Sequence, residues 1–587
     1  MLRDTETGTG TETGTGTETG TGTETGTGTE TGTGTGTGTD TGIDTDVVVV
    51  GYGPVGGVLS ILLAQRGWRV TVLEQRARPY LLPRATSFDG ETARLIAGTG
   101  IGPQIGEFTE PADGYRWQNA AGQALLDIDF AAVGPYGWPD ANTMHQPTLE
   151  ARLATRLSAL PGVDIRRGQR VVGLTDHGDR VEVTTTGPDG ATRALTARWV
   201  VGCDGARSFV REALGVPVTD LGFSYDWLLC DVELAEPRTF TPSNVQICDP
   251  ARPTTLVASG PGHRRWEFMR LPGETNAELE RPETAWRLLA PFDVTPANAT
   301  LLRTATYTFQ ARWADRWRVG RVLLAGDAAH LMPPFAGQGM CSGIRDVANL
   351  AWKLDLAARG LADASVLDSY TVERRKQVEE SIRSSVKLGK VICVSDPGAA
   401  ADRDAAMLAR ASSGSSARPE PAPPLSGGLL YQRFTGVTEP PAGDVVPQGR
   451  VRYRGRTGLF DEVVGRGFAL LTTEDPLVAL GEERLTFLMG LGAHVVRLVA
   501  PSDADADADA DAETGAGVGT DAEADVADLD GVYLSYLRRC DGTTLLVRPD
   551  YHVFGAAKGS AEAATLVDDL RAQLTGAVRA PRSRLGI

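Results

Sequence analysis

One six-residue window, Gly51-Tyr-Gly53-Pro54-Val55-Gly56, constrains this chain more than any other feature, because of what flanks it. Before it, Val47–Val50 is an unbroken β-branched run, the pattern of a strand buried on both faces of a parallel sheet. After it, Val55, Val58, Leu59, Leu62 and Leu63 recur at helical spacing until Gly67 ends the helix. Arg69–Leu73 then reads as a second strand closing on Glu74 and Gln75, which completes a βαβ unit. In such a unit Gly51 permits the tight turn, Gly53 lets backbone approach a pyrophosphate, and Gly56 lets helix and strand pack closely. The helix start adds free N–H groups and positive potential. Glu74, 18 residues past Gly56, stands where an acid accepts ribose hydroxyls. A dinucleotide site follows, although this motif alone does not choose between NAD and FAD.

A second constellation makes that choice. Arg321–Ala325 reads as an apolar strand delivering Gly326-Asp327-Ala-Ala-His330, then Pro333-Pro334-Phe-Ala-Gly337-Gln-Gly339-Met340-Cys341. A helix follows with Ile344, Val347, Ala348 and Ala351 on one face. A glycine before a carboxylate at a strand end lets the carboxylate reach a ligand hydroxyl, and the helix dipole can stabilise an anion. This stretch resembles the GD motif of FAD-dependent aromatic hydroxylases, the class A flavoprotein monooxygenases. There the aspartate binds the flavin ribityl chain, and the helix start faces the pyrimidine edge of the isoalloxazine. Val200-Val-Gly-Cys203-Asp204-Gly205-Ala-Arg207-Ser208 resembles that family's DG motif, shared between FAD and the pyridine nucleotide. An Asp-Gly after a buried strand is also an ordinary turn, so Asp204 keeps both readings. The resemblance extends to Arg84, Gln146 and Arg152 as further cofactor residues, and to the helix Leu367–Arg375. It is strongest to 3-(3-hydroxyphenyl)propionate hydroxylases, through Arg265-Trp266-Glu267-Phe268, Gly339–Asp346 and Val391–Cys393. Residues 425–587, with Leu546–Phe554, resemble the degenerate thioredoxin-like tail of these enzymes; lacking C-x-x-C, the tail reads as structural or interface-forming.

The expected fold is therefore α/β. A Rossmann-like FAD-binding domain takes 44–116, 143–220 and 304–411. A substrate-binding β-sheet domain of the para-hydroxybenzoate hydroxylase-like fold takes 117–142 and 221–303, and a thioredoxin-like α/β domain takes 425–587. A Ser/Pro/Ala linker is expected at 412–424. The Thr-Gly/Thr-Glu tract within 1–43 and the Asp-Ala loop 503–525 are too polar to form a core and are expected to be disordered. These two segments also locate the charge. Residues 1–46 hold nine acids against Arg3, and 502–525 hold nine with no base, so −8 and −9 make up the whole −17. The remainder is formally neutral, which argues against a nucleic-acid or membrane-surface face. Six scattered cysteines with no metal-like spacing read as reduced thiols in a cytoplasmic protein, and no metal site is expected. No signal-peptide core and no run near ~20 apolar residues is present.

The resemblance implies FAD as cofactor and NAD(P)H as a visiting co-substrate, consistent with the lack of a second G-x-G-x-x-G. It further implies O2, a small aromatic substrate, and hydroxylation through a flavin C4a-hydroperoxide attacked by an activated phenol; it leaves room for a homodimer. Phe223, Tyr225, Trp266, Phe268 and Pro333 are the expected wall of the substrate pocket, with sheet core as the competing reading. Tyr225 is the candidate to polarise a phenol. His330 is expected to pack near the flavin rather than act as a base, and Cys341 to contribute its N–H rather than redox chemistry. Two alternatives stay open. One is a reductase or halogenase on the same scaffold, although no W-x-W-x-I-P signature is present. The other is a flavin-containing interaction protein that docks through its tail.

Overall fold

The computed structural model describes residues 42–411, 417–432, 438–501 and 525–576. The tract up to residue 41, the start of the linker (412–416) and nearly all of the acidic loop (502–524) lie outside the described residues.

β1 (Thr45–Val50), α1 (Pro54–Ala64) and β2 (Val70–Glu74) form the βαβ unit. Pro54 at the first helical position needs no N–H partner, and Gly67 at φ 83° turns the chain back. β1 is the centre of a parallel array running Val322–Leu324, Thr192–Gly202, β1, β2, Val163–Arg167, and Val47–Val49 are fully buried in it.

A second sheet of eight strands stands against this domain. It contains β3 (Gly114–Asn119), β4 (Val218–Leu234), β5 (Asn244–Cys248), β6 (Thr254–Ala258), β7 (His263–Met269) and β8 (Ala299–Ala314), ordered β8-β4-β7-β6-β5-β3. Both faces are covered. The inner face, with Trp227 and Phe309, joins the main core. The outer face, with Leu228, Trp266 and Phe268, packs under the helix Pro282–Leu289 as a separate core.

α2 (Gln338–Ala358) runs through the middle of the molecule, with every residue from Cys341 to Leu356 buried. α3 (Asp368–Ile392) lies beside it. The C-terminal region builds a βαβ unit (Ala469–Thr472, Pro476–Gly490, His494–Val499) and a ββα unit (Thr544–Val547, Val553–Ala557, Gly559–Leu574). Their strands pair with the first βαβ strand at the centre, parallel to the second and antiparallel to the third, which is thioredoxin-like topology. Its one cysteine among the described residues is Cys540, so no dithiol is present there.

Candidate active site

Three loops, the first and last more than 250 residues apart in sequence, converge at the end of β1. Gly51 adopts φ 103°, and a Cβ there would lie 2.4 Å from the Cys203 carbonyl oxygen of the Asp204 turn. A Cβ on Gly56 would fall 2.1 Å from the Gly51 carbonyl oxygen, so the helix closes directly onto its own turn. Val55 reaches the third loop, where a Cβ on Gly326 would meet it at 3.1 Å and one on Gly343 at 2.6 Å. Gly53, by contrast, faces open space: nothing lies within 4 Å of its missing side chain. It precedes α1 with no side-chain cap, so the first N–H groups of the helix are left for an anion.

Glu74 sits at the end of β2 with one oxygen on the Tyr52 N–H (3.0 Å) and the other on the Arg76 N–H (2.8 Å), fixed beside the glycine turn. Gln75 follows it, exposed. Gln146 is buried and pins a loop rather than pointing freely: its oxygen accepts from the N–H groups of Arg84 (2.9 Å) and Ala85 (2.7 Å). The Arg84 guanidinium lies 5.2 Å over the Tyr80 ring. Arg152 is held on the surface by Glu107 at 2.5 Å.

Asp204 spends both oxygens within its own turn, on the Ser208 hydroxyl (2.5 Å) and the Val210 N–H (3.1 Å), so its placement favours the turn reading. Asp327 differs. Its carboxylate has no hydrogen-bond donor among the described residues, and burial raises its pKa against the lowering influence of His330, Arg84 and Arg211. The turn that presents it is rigid: Asp346 accepts from the Gly326 N–H (3.0 Å), from His330 Nε2 (2.7 Å) and from Arg374 Nε (2.9 Å). His330 is thus a brace for this turn. The chain then passes through buried Pro333, exposed Pro334 and left-handed Gly337 (φ 66°) into α2, whose start carries no side-chain cap. Gly339, Met340 and Cys341 form that first turn, and the buried Cys341 thiol is pushed up to about 12 by its burial. A half-buried carboxylate without a donor, together with an uncapped helix start and an open glycine turn, fits an elongated ligand with hydroxyls and a pyrophosphate.

The inner face of the second sheet meets the glycine-rich turn through Phe335, and here the structure corrects the sequence reading. Trp266 and Phe268 do not line this face. Successive strand residues point to opposite faces, and in β7 these two belong to the outer core, with Phe292 against both rings. Arg265, Glu267 and Met269 take the inner face instead. Phe223, Trp227 and Phe309 are also inner, grouped around Phe335 of the glycine-rich turn at 6.1, 5.9 and 5.6 Å between ring centroids. Phe223 is wedged so closely there that a Cβ on Gly389 of α3 would come within 2.6 Å of it. Tyr225 lies at the edge of this group, 5.0 Å from Phe223 and close to Cys393. A tyrosine that the sequence did not single out faces the Asp327 turn from this sheet. Tyr307 pairs with Trp227 across β4 and β8, is 46% exposed on the inner face, and its phenol is raised by burial and by the adjacent Asp327. No local motif marks it, because its proximity to Asp327 arises only from strand pairing.

The "FAD binding domain" family matches residues 44–385, and the "HcaD C-terminal domain" family matches residues 443–573. The chain is 38% identical over 529 residues to a protein of Rhodococcus jostii (strain RHA1) described as "Probable NADH-specific resorcinol 4-hydroxylase", covering 89% of this chain and 94% of that one. It is 36% identical over 460 residues to a 3-(3-hydroxy-phenyl)propionate/3-hydroxycinnamic acid hydroxylase of Mycolicibacterium gilvum (strain PYR-GCK), covering 77% and 80%. Among solved structures, aklavinone-11 hydroxylase in complex with FAD and aklavinone superposes with a TM-score of 0.71 over 91% of this chain and 99% of that one. At 23% identity that likeness is one of fold.

Proposed function

The chain belongs to the FAD-binding-domain family of flavin-dependent aromatic hydroxylases, and from that premise we propose that it hydroxylates a phenolic ring using NAD(P)H and O2. The observation that carries the reading is Asp327: a half-buried carboxylate with no hydrogen-bond donor among the described residues, in a turn braced by Asp346, close to an uncapped helix start. Bound FAD supplies the redox chemistry, taking reducing equivalents from NAD(P)H and passing them to dioxygen. The rest falls to the chain. Glu74 would accept ribose hydroxyls, Gly53 and the start of α1 would take the pyrophosphate, and Asp327 would accept a ribityl hydroxyl. The N–H groups of Met340 and Cys341 would face the flavin's polar edge. Phe335 with Trp227 and Phe309 supplies an apolar boundary that excludes water from the reacting ring. Resorcinol and 3-(3-hydroxyphenyl)propionate, the substrates in the relatives' names, share a ring hydroxyl meta to a second substituent, so a meta-substituted phenol is the proposed substrate class. NADH is the proposed donor, after the relative with the greater coverage. The test is a panel of such phenols scored by NAD(P)H oxidation and by oxygen uptake minus peroxide released. Coupled uptake with a hydroxylated product is expected. FAD-loaded protein that forms no hydroxylated product from any phenol of the panel would overturn the reading.

A further inference from the structure

We propose that Glu267 forms the polar floor of the substrate cleft and accepts a hydrogen bond from a ring hydroxyl of the phenol, an assignment that rests on the hydroxylase reading above. Residues directly opposite each other on paired strands share a face. Across the inner face, three rows can therefore be read from the pairings. One contains Tyr307 and Trp227, and lies under the Phe335 turn. Another contains Arg303, Asp231 and Arg265. This row grips the loop before β-strand pairing resumes at Ser87: Arg265 donates to the Pro83 and Arg84 carbonyls at 2.7 Å each, and Arg303 to Pro83 at 2.7 Å. Between these two rows, one under each cofactor-facing loop, runs Ala305–Leu229–Glu267–Thr255. Ala305 and Leu229 cannot hydrogen-bond through their side chains, and the Thr255 hydroxyl is already given to Gln246 (2.7 Å). Glu267 is the acid of the row.

Its state is unusual for a buried acid. The residue is 8% exposed, and its closest partner among the described residues is Arg265, a loose ion pair at 3.7 Å. That arginine is committed elsewhere, to Asp231 at 2.6 Å and to the two loop carbonyls. Buried polar atoms are normally satisfied by close hydrogen bonds, and a carboxylate left with one long contact has room for a further donor. The ordinary partner, water, is what a dry hydroxylation site must exclude. A phenol hydroxyl arriving over Leu229 would supply the donor and leave the ring between the sheet and the cofactor loops. Burial is the largest influence on the Glu267 carboxyl and raises it, while Arg265 and Arg303 lower it.

The test uses the FAD-loaded protein and Glu267→Gln. The probes are the tightest-binding phenol of the panel and its methyl ether, with affinity read from the perturbation of the flavin spectrum. Loss of a hydrogen bond to a charged acceptor should weaken the phenol about 10- to 100-fold, leaving the ether, the flavin content and the thermal midpoint unchanged. A merely structural role would move both probes together. Equal affinity for the phenol in wild type and variant overturns the assignment. If Glu267→Gln fails to retain FAD, Glu267→Asp decides, since it keeps the charge while withdrawing the oxygens. A selective loss of phenol affinity supports the proposal, and none overturns it. A wild type that binds no phenol at all brings down the hydroxylase reading, and this inference with it.

Discussion

Two of the places where this molecule buries charge are built on opposite plans. Where the thioredoxin-like region meets α2 and α3, every charge is answered. Glu373 of α3 receives Lys353 (2.8 Å), Asn349 (2.7 Å), Arg548 (2.7 Å) and the Leu429 N–H (2.7 Å), while Asp550 receives Arg548 and Asn349. A second contact repeats the plan: Arg94 makes a two-armed pair with Asp461 at 2.8 Å and lies 3.8 Å over Tyr551. On the other side, half-buried Asp327 has no hydrogen-bond donor among the described residues, and buried Glu267 has only the loose contact with Arg265 at 3.7 Å. Saturated charge specifies how parts of a protein fit together; unsaturated charge is a place kept for something else. The pKa directions agree. Arg548 and Lys353 hold Glu373 down to about 2, whereas burial pushes Asp327 and Glu267 up.

The largest expected effect breaks the saturated side. Arg548→Ala leaves Glu373 and Asp550 short of a cation in a dry junction, and removal of one partner from a buried network costs about 3–5 kcal/mol. Denaturant unfolding should register that loss even in FAD-free protein; a change below about 1 kcal/mol would mean the junction is wet. Acid sharpens the same point. With its folded pKa near 2 against an ordinary 4.5, Glu373 contributes stability that is complete above about pH 4.5 and vanishes as pH falls through 2. The 2.5-unit difference corresponds to about 3 kcal/mol. The gap in unfolding free energy between wild type and Glu373→Gln should therefore be flat above about pH 5 and narrow below it. A gap that is constant to pH 2 would rule out an ionised Glu373 as its source.

On the unsaturated side the sign of the stability effect reverses. Asp327→Ala should weaken FAD binding about 10- to 150-fold, the equivalent of roughly 1.5–3 kcal/mol, while leaving the apo-protein as stable as wild type or more so. Cys341→Ala, in the same turn region, keeps its N–H and should lose little. FAD titration and apo-protein unfolding check both, and equal losses would misplace the flavin. The smallest effect concerns the remaining thiol of the tail. Cys540→Ser should leave turnover within about twofold, since the thiol has no cysteine partner among the described residues. A larger drop would show that the thioredoxin-like region does redox chemistry after all.

The glycine turn, Glu74, the Gly326-Asp327 loop and the helix after it were legible in sequence because each is local: a few adjacent residues set the backbone that makes the site. The phase of β7 was not. Arg265-Trp266-Glu267-Phe268 alternates visibly, but both faces of its sheet are buried, so hydrophobicity does not say which one meets the cofactor. The sequence marks the aromatic pair and gives no sign of which face the acid between them takes. Tyr307 was invisible for a related reason, since its nearness to Asp327 depends on the pairing of β8 with β4. The junction is the extreme case: Lys353, Glu373, Arg548 and Asp550 span nearly 200 positions, and no periodicity links them.

α2 begins at the cofactor turn and, three to four turns on, places Asn349 and Lys353 in the junction. With FAD bound at its head as proposed, this one helix has a stake in two equilibria, cofactor capture and tail docking along its length. Linkage then runs both ways by thermodynamic necessity. Whatever affinity for FAD is gained from a docked tail, the tail recovers as resistance to undocking when FAD is bound. Protease nicking of the tail and flavin release are in that sense two readouts of one coupling free energy.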